Sequence, residues 1–356
     1  MPDGGPSSRW SSPTPSVGDF TASSLQFRPA LREPKFNMLL RLLCCGRDMS
    51  KKQRSLVKEY WPVATVNFTP LSDPEIEYIN NLQGNTWKAG RNAGFEDVKT
   101  AKTLLGIDME ANELYNKLHL SYPEIFYAED DLPDQFDSRT KWSNCKTMKE
   151  IRDQSNCGSC WAFGSVEAMS DRICVAQQGN VHLSAEDVLS CCENCGNGCS
   201  GGYPTRAYQY WVRDGVVSGG VYGSKKGCYP YEVAPCHTPT PNCSHECPTP
   251  KCHHQCIPGY SKSYSEDKHF GAKSYGVRGV QNIMKELVNN GPVTAAFTVY
   301  SDFMHYKSGV YKHKTGGQLG GHAVKIIGYG TENGQDYWLV ANSWTTSWGD
   351  KGQSLP

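Results

Sequence analysis

Cys160 stands where a thiol can act as a nucleophile. It lies six residues after the side-chain amide of Gln154, in Gln154-Ser-Asn-Cys-Gly-Ser-Cys160-Trp-Ala-Phe, and at the start of a segment with helical spacing. A free thiol ionises near pH 8.5, so attack on an acyl carbon at lower pH needs surroundings that favour the thiolate. A helix N-terminus offers roughly half a positive charge. An imidazolium offers a whole one, and of the 10 histidines His322, preceded by Gly320-Gly321, is the best candidate to supply it. Thiol and imidazole then titrate as a coupled pair, and the imidazole can protonate a leaving amine and later activate water. Asn342, twenty residues further on, carries a side-chain carbonyl that can orient the ring, as an Asp does in serine triads, with Trp344 shielding that bond. Gln154 and the Cys160 N–H can together form an oxyanion hole. The plainer alternatives are a strand histidine satisfied by backbone for His322 and a surface-loop amide for Gln154.

These groups need elements to hold them. After Cys160, the residues Phe163, Val166, Met169 and Ile173 recur at helical spacing and predict a buried central helix. Val293–Val299, His322–Gly328 and Tyr337–Ala341 are β-rich runs separated by Gly and Asn turns. Gly201-Gly202 can offer a backbone edge to an extended peptide, or be only a turn. Upstream, Leu71–Asn81 reads as a helix capped by Ser72, with Ile76, Tyr78 and Ile79 on its apolar side.

Residues 157–161 fit the pattern C-G-[SA]-C-[WY] found around the nucleophile of papain-type enzymes. Other motifs follow in order: Cys191-Cys192-Glu-Asn-Cys195, Cys199-Ser-Gly201-Gly202-Tyr203-Pro204, Gly227-Cys228-Tyr-Pro-Tyr, Gly320-Gly321-His322-Ala323 and Asn342-Ser343-Trp344. From about Leu71 to Asp350 the chain resembles the papain superfamily, and within it the cathepsin B branch. The resemblance implies an α+β fold of two subdomains, a helical left half and a β-barrel-like right half with the cleft between them. It implies an unassigned segment over 1–66, read as disordered, a propeptide over 67–131 and a peptidase domain over 132–356 with a Cys-rich insertion at 228–256. Maturation would fall within Tyr127–Leu132. The implied roles are catalytic for Gln154, Cys160, His322 and Asn342, and substrate-binding for Gly201, Gly202, Trp344 and His237. The implied bridges are Cys145–Cys174, Cys157–Cys199, Cys191–Cys252, Cys192–Cys195, Cys228–Cys256 and Cys236–Cys243. That leaves Cys160 free and gives Cys44, Cys45 and Cys247 no partner. Polypeptide substrates, the chain's own propeptide and cystatin-type inhibitors are the implied partners, with no cofactor and no metal.

The chain departs from this branch in places. The branch carries two adjacent histidines, shortly after a loop cysteine, that hold a substrate's C-terminal carboxylate; here Cys236 is followed by His237, Thr238 and Pro239, and His253-His254 sits between other cysteines. Ser347 replaces a carboxylate that helps latch this loop, although Asp153, its companion, is present. The expectation is therefore an endopeptidase with weak or lost dipeptide release, His237 or His245 standing in for the missing pair. The chain also ends at Pro356, where the family continues through further strands, so part of the sheet half, with the floor of the specificity pocket, is expected to be missing.

The 36 basic and 36 acidic residues cancel and form no Lys/Arg block, which favours neither nucleic acid nor an anionic membrane as partner. Most of the 16 cysteines lie in Gly- and Pro-rich sequence typical of a disulfide framework, which needs an oxidising compartment, lysosomal or extracellular. The sequons at Asn67 and Asn242 agree with that route. The N-terminus conflicts with it. Residues 1–37 are polar, and Met38-Leu-Leu-Arg41-Leu-Leu-Cys-Cys is short and interrupted by Arg41, so this start reads as an alternative or mis-joined segment, or as a poor signal translated from Met38. No membrane-spanning run is visible. Two further readings compete: an impaired isoform that binds without turnover, and a zinc module built from the Cys/His cluster at 191–256, which the irregular spacings disfavour.

Overall fold

The computed structural model describes residues 68–95, 97–122, 132–235 and 247–356, together with the backbone of a short antiparallel pair, Phe20–Thr21 with Ser24–Leu25. His237, His245, Cys236, Cys243, the sequon asparagines Asn67 and Asn242, and the expected maturation stretch before Leu132 lie outside the described residues.

The described N-terminal segment begins with helix α1 (Asp73–Asn81), where Ser72 Oγ accepts from the Glu75 N–H and Pro74 occupies the first turn. Ile79 is its buried apolar residue, beside buried Glu75, with Ile76 and Tyr78 half-buried. Strand β1 (Trp87–Ala89), helix α2 (Val98–Thr103) and helix α3 (Met109–His119) follow, the two helices capped by Asp97 and Asp108. The sequence reading did not single out either helix. Each is short, and its apolar residues are too sparse for periodicity to stand out.

The left half is built on α5 (Cys160–Val175), preceded by the short β2 (Phe136–Asp137) and α4 (Ser138–Lys141) and followed by α6 (Ala185–Cys191) and α7 (Pro204–Arg213). Helix α5 is buried on nearly every side, including Ser165, Glu167, Ser170 and Asp171. Such a helix is the centre of a core rather than a surface cover. Among the described residues five bridges staple this half: Cys145–Cys174, Cys157–Cys199, Cys191–Cys252, Cys192–Cys195 and Cys228–Cys256.

The right half follows helix α8 (Val280–Asn290). Strands β3 (Val293–Tyr300), β4 (Tyr306–Gly309), β5 (Gln318–Glu332), β6 (Gln335–Ala341) and β7 (Gln353–Ser354) are all antiparallel to their partners. The long β5 is the spine: β3 and β2 pair along one side of it, β6 along the other, and β7 joins β6. Its length and the register shift near Gly328 let the sheet curl.

The N-terminal segment is built into both halves. β1 pairs with β4, and the Trp87 ring lies 5.1 Å from that of Tyr311 while its Nε1 donates to the Lys312 carbonyl at 2.9 Å. Asn92 Nδ2 donates to the carbonyls of Met304 and Tyr306. Leu71, Ile79, Trp87, Ala101 and Leu104 belong to the right-hand core, Ile107 to the left-hand one. Trp87→Ala should weaken docking of this segment, since truncating a buried Trp costs about 3–5 kcal/mol. A peptide spanning 68–122 carrying this change should bind the 132–356 portion at least about 10²-fold more weakly in competition assays.

Candidate active site

Cys160 is the first residue of α5 and is fully buried. Its Sγ accepts a hydrogen bond from the Gly106 N–H at 3.3 Å. His322 lies on β5, opposite Phe297 of β3, and its Nε2 is 2.8 Å from Asn342 Oδ1. That contact leaves Nδ1 without a hydrogen bond among the described residues. Asn342 follows the last residue of β6, so neighbouring strands set the ring and its partner. Trp344, itself buried, covers this contact with its ring 4.3 Å from the imidazole.

Gln154 is wholly buried, not a surface amide. Its Nε2 donates to the carbonyls of Leu104 (2.9 Å) and Cys157 (2.8 Å). Ser343, to which the sequence reading gave no role, fixes both side chains: its Oγ donates to Gln154 Oε1 (2.8 Å) and its N–H to Asn342 Oδ1 (2.7 Å). Tyr231 OH adds a bond to the Gln154 carbonyl at 2.9 Å. The place of Ser343 between the two amides is visible only once loop and strand are folded together.

The segment Leu104–Ile107 crosses the cleft. The Leu104 carbonyl takes the Gln154 amide and Gly106 N–H takes the sulfur; the Gly106 carbonyl accepts from the Gly202 N–H (2.9 Å), and Ile107 exchanges backbone bonds with Gly321 (3.1 and 3.2 Å). The Gly201-Gly202 edge is thus occupied by extended backbone. Only glycine fits at 106, because a Cβ there would stand 1.8 Å from the Gly158 carbonyl oxygen. Gly201, at φ +113, needs glycine for its own backbone.

Covering changes the electrostatics. Burial pushes the Cys160 thiol up to about 11, against the pull of backbone groups of Ala323 and Gly106. Burial likewise takes His322 down to about 4, with the Asn342 bond pulling the other way. In the covered site burial therefore favours the neutral thiol and the neutral imidazole, because neither charge has water to support it. A thiol raised to about 11 carries on the order of 10²-fold less thiolate at neutral pH than an ordinary one. Alkylation of Cys160 in the uncleaved chain should therefore climb with pH towards about 11 without levelling in the neutral range. Removal of 68–122 should move the plateau to lower pH, which iodoacetamide kinetics with peptide mapping would measure.

Within the cysteine/histidine cluster, the sulfurs of Cys191 and Cys252, near His254, are joined to each other at 2.02 Å. Cys247 is half-buried, its N–H bonded to the Asn156 carbonyl. Asp153 Oδ1 accepts from the Ser155 N–H, and Ser347 is engaged with Thr345.

A thiol at a helix start that meets the backbone of Ala323, next to a strand-borne histidine whose ring is bonded to an asparagine, with a buried amide six residues before the thiol, is the arrangement of a papain-type cysteine protease. Residues 132–354 match the Papain family cysteine protease, and the chain belongs to that family. Within it the chain is cathepsin B-like. It is 49% identical over 305 residues to Cathepsin B-like cysteine proteinase 6 of Caenorhabditis elegans, covering 79% of this chain and 77% of that one. It is 45% identical over 302 residues to the Cathepsin B-like cysteine proteinase of Schistosoma japonicum, covering 80% and 85%. Among solved structures it is similar to proCathepsin B S9 from Trypanosoma congolense, with a TM-score of 0.68 and 36% identity over 81% of this chain and 93% of that one. No described helix is long and apolar enough to cross a membrane.

Proposed function

We propose that this chain is the zymogen of a cysteine endopeptidase, in which residues 67–131 are the propeptide and 132–356 the peptidase. The observation that carries this is the passage of Leu104–Ile107 through the cleft, where it engages the sulfur, the Gln154 amide, the Gly202 N–H and Gly321 together. An extended peptide substrate would use the same donors once this stretch leaves. Gly202 and Gly321 would hold its backbone, Cys160 would attack, Gln154 and the Cys160 N–H would stabilise the oxyanion, and His322, oriented by Asn342, would pass the proton to the leaving amine. A cavity of about 670 Å³ that includes Pro204, Tyr208 and Thr294 adjoins this edge and can admit a bulky substrate side chain. With water admitted, the thiolate and imidazolium gain the solvation they lack in the covered state.

The mode is internal cleavage. His253 and His254 are exposed and lie after Cys252, and Ser347 offers no carboxylate. The acid-processed chain should cleave internally quenched peptides blocked at both ends at least about tenfold faster than it releases C-terminal dipeptides from matched substrates. Comparable rates would sink this assignment. The disulfide framework supports an oxidising route, lysosomal or extracellular.

A further inference from the structure

Lys325 and Asp171 form an ion pair closed to solvent, with Nζ 2.7 Å from Oδ2 and both side chains wholly buried. Lys325 is on β5, three residues after His322, and Asp171 is on α5, eleven residues after Cys160. The pair thus ties together the two elements that carry the sulfur and the imidazole. The second oxygen of Asp171 accepts from Thr147 Oγ1 at 2.6 Å, and the Thr147 carbonyl lies 3.4 Å from Lys325 Nζ. The Cys145–Cys174 bridge anchors the same end of the helix.

Helix α5 meets β5 at another point as well. Gly164, one turn after Cys160, lies so close to the strand that an added Cβ would stand 3.3–3.4 Å from the backbone of Ala323 and Val324. A helix held at one such point can pivot about it. Asp171, roughly 16 Å along the axis from Cys160, supplies the second point and sets the angle. Apolar packing would tolerate a small slip there. A buried charge would not, because a slip leaves it without its partner in a low dielectric. Glu167 lies between the two points, and Arg152, also buried, is bonded to the Leu183 carbonyl and lies 3.6 Å from Glu150.

We propose that Lys325 and Asp171 are positioning residues, which fix the angle of α5 against β5 and so the approach of Cys160 Sγ to the His322 ring. This rests on the reading of Cys160 and His322 as nucleophile and base. The test uses the full chain after acid processing, in five forms: wild type, Lys325→Arg, Lys325→Met combined with Asp171→Leu, Thr147→Val, and Cys160→Ser. The apolar pair should fold, KM should stay within about twofold, and kcat should fall at least about tenfold, with the alkylation midpoint of Cys160 about one pH unit higher, the equivalent of that factor. Lys325→Arg should keep kcat within about threefold. Thr147→Val, which removes only the bond to Asp171 Oδ1, should lower kcat about threefold at unchanged KM. An apolar pair with wild-type kcat and alkylation profile would overturn the proposal, since any packed contact would then serve. If that pair fails to fold, wild-type kcat in Thr147→Val overturns it instead. Hydrolysis that survives in Cys160→Ser would overturn the underlying assignment of the nucleophile, and the proposal with it, by a result the other variants cannot produce.

Discussion

Cys160→Ala is expected to abolish peptide hydrolysis and labelling by a thiol-directed epoxide. Loss of a nucleophile from a catalytic set costs on the order of 10⁶-fold in kcat where it has been dissected; a fall of at least about 10⁴-fold is expected here. The fold should survive. Sγ is buried and accepts a hydrogen bond from the Gly106 N–H, so the change removes one sulfur atom from a packed site and costs about 1–2 kcal/mol. Thermal unfolding of the uncleaved chain should move by only a few degrees. A correctly folded Cys160→Ala protein that keeps more than about 1% of wild-type hydrolysis would remove Cys160 from the mechanism.

Gly106→Val should release the latency of the uncleaved chain. The Cβ it introduces would lie 1.8 Å from the Gly158 carbonyl oxygen and 2.6 Å from its carbon, both backbone atoms that cannot turn aside. Gly158 is itself confined, since its own added Cβ would meet the Cys199 carbonyl at 2.2 Å. The covering strand is therefore the part that yields. Overpacking of this kind costs about 1–3 kcal/mol, so the segment should dock roughly 5- to 150-fold less tightly. The bonds from Gly106 to Cys160 and Gly202 are then lost together. Epoxide labelling of the uncleaved variant at neutral pH should rise by that factor over the uncleaved wild type. Unchanged labelling, with a normal unfolding temperature, would mean that the crossing at Gly106 is not what covers the thiol.

Much of the site is legible in the sequence because its members sit in short, ordered words. Gln154 and Cys160 are six residues apart, and the apolar spacing after Cys160 marks a helix that does start there. The strand expected at His322–Gly328 lies within β5, and the one at Tyr337–Ala341 within β6. Ser72 is read as a cap and is one. The spacing is less informative about α5 as a whole, since it marks one apolar side of a helix buried on nearly all sides.

The covering of the cleft is not legible. Leu104-Leu-Gly-Ile107 has no periodicity, and its partners lie at 154, 160, 202 and 321. Nor are the inward charges legible. Glu75, Glu167, Asp171 and Lys325 are all buried, and composition alone places such residues at the surface. Nor is the effect of covering on protonation legible, since burial pushes the Cys160 thiol up and the His322 imidazole down.

By itself the sequence determined the family, the helix after Cys160 and the strands at His322 and Tyr337, and which thiol, imidazole and amides are available, because local spacing and short motifs record what each element turns toward its neighbours. Only the tertiary structure decided that a glycine-bearing strand lies across the sulfur, that Ser343 braces both Gln154 and Asn342, and that Lys325 meets Asp171 behind the site. Those contacts join residues up to about two hundred positions apart. Their energies depend on how much water is excluded once both halves close, and no local pattern carries that information.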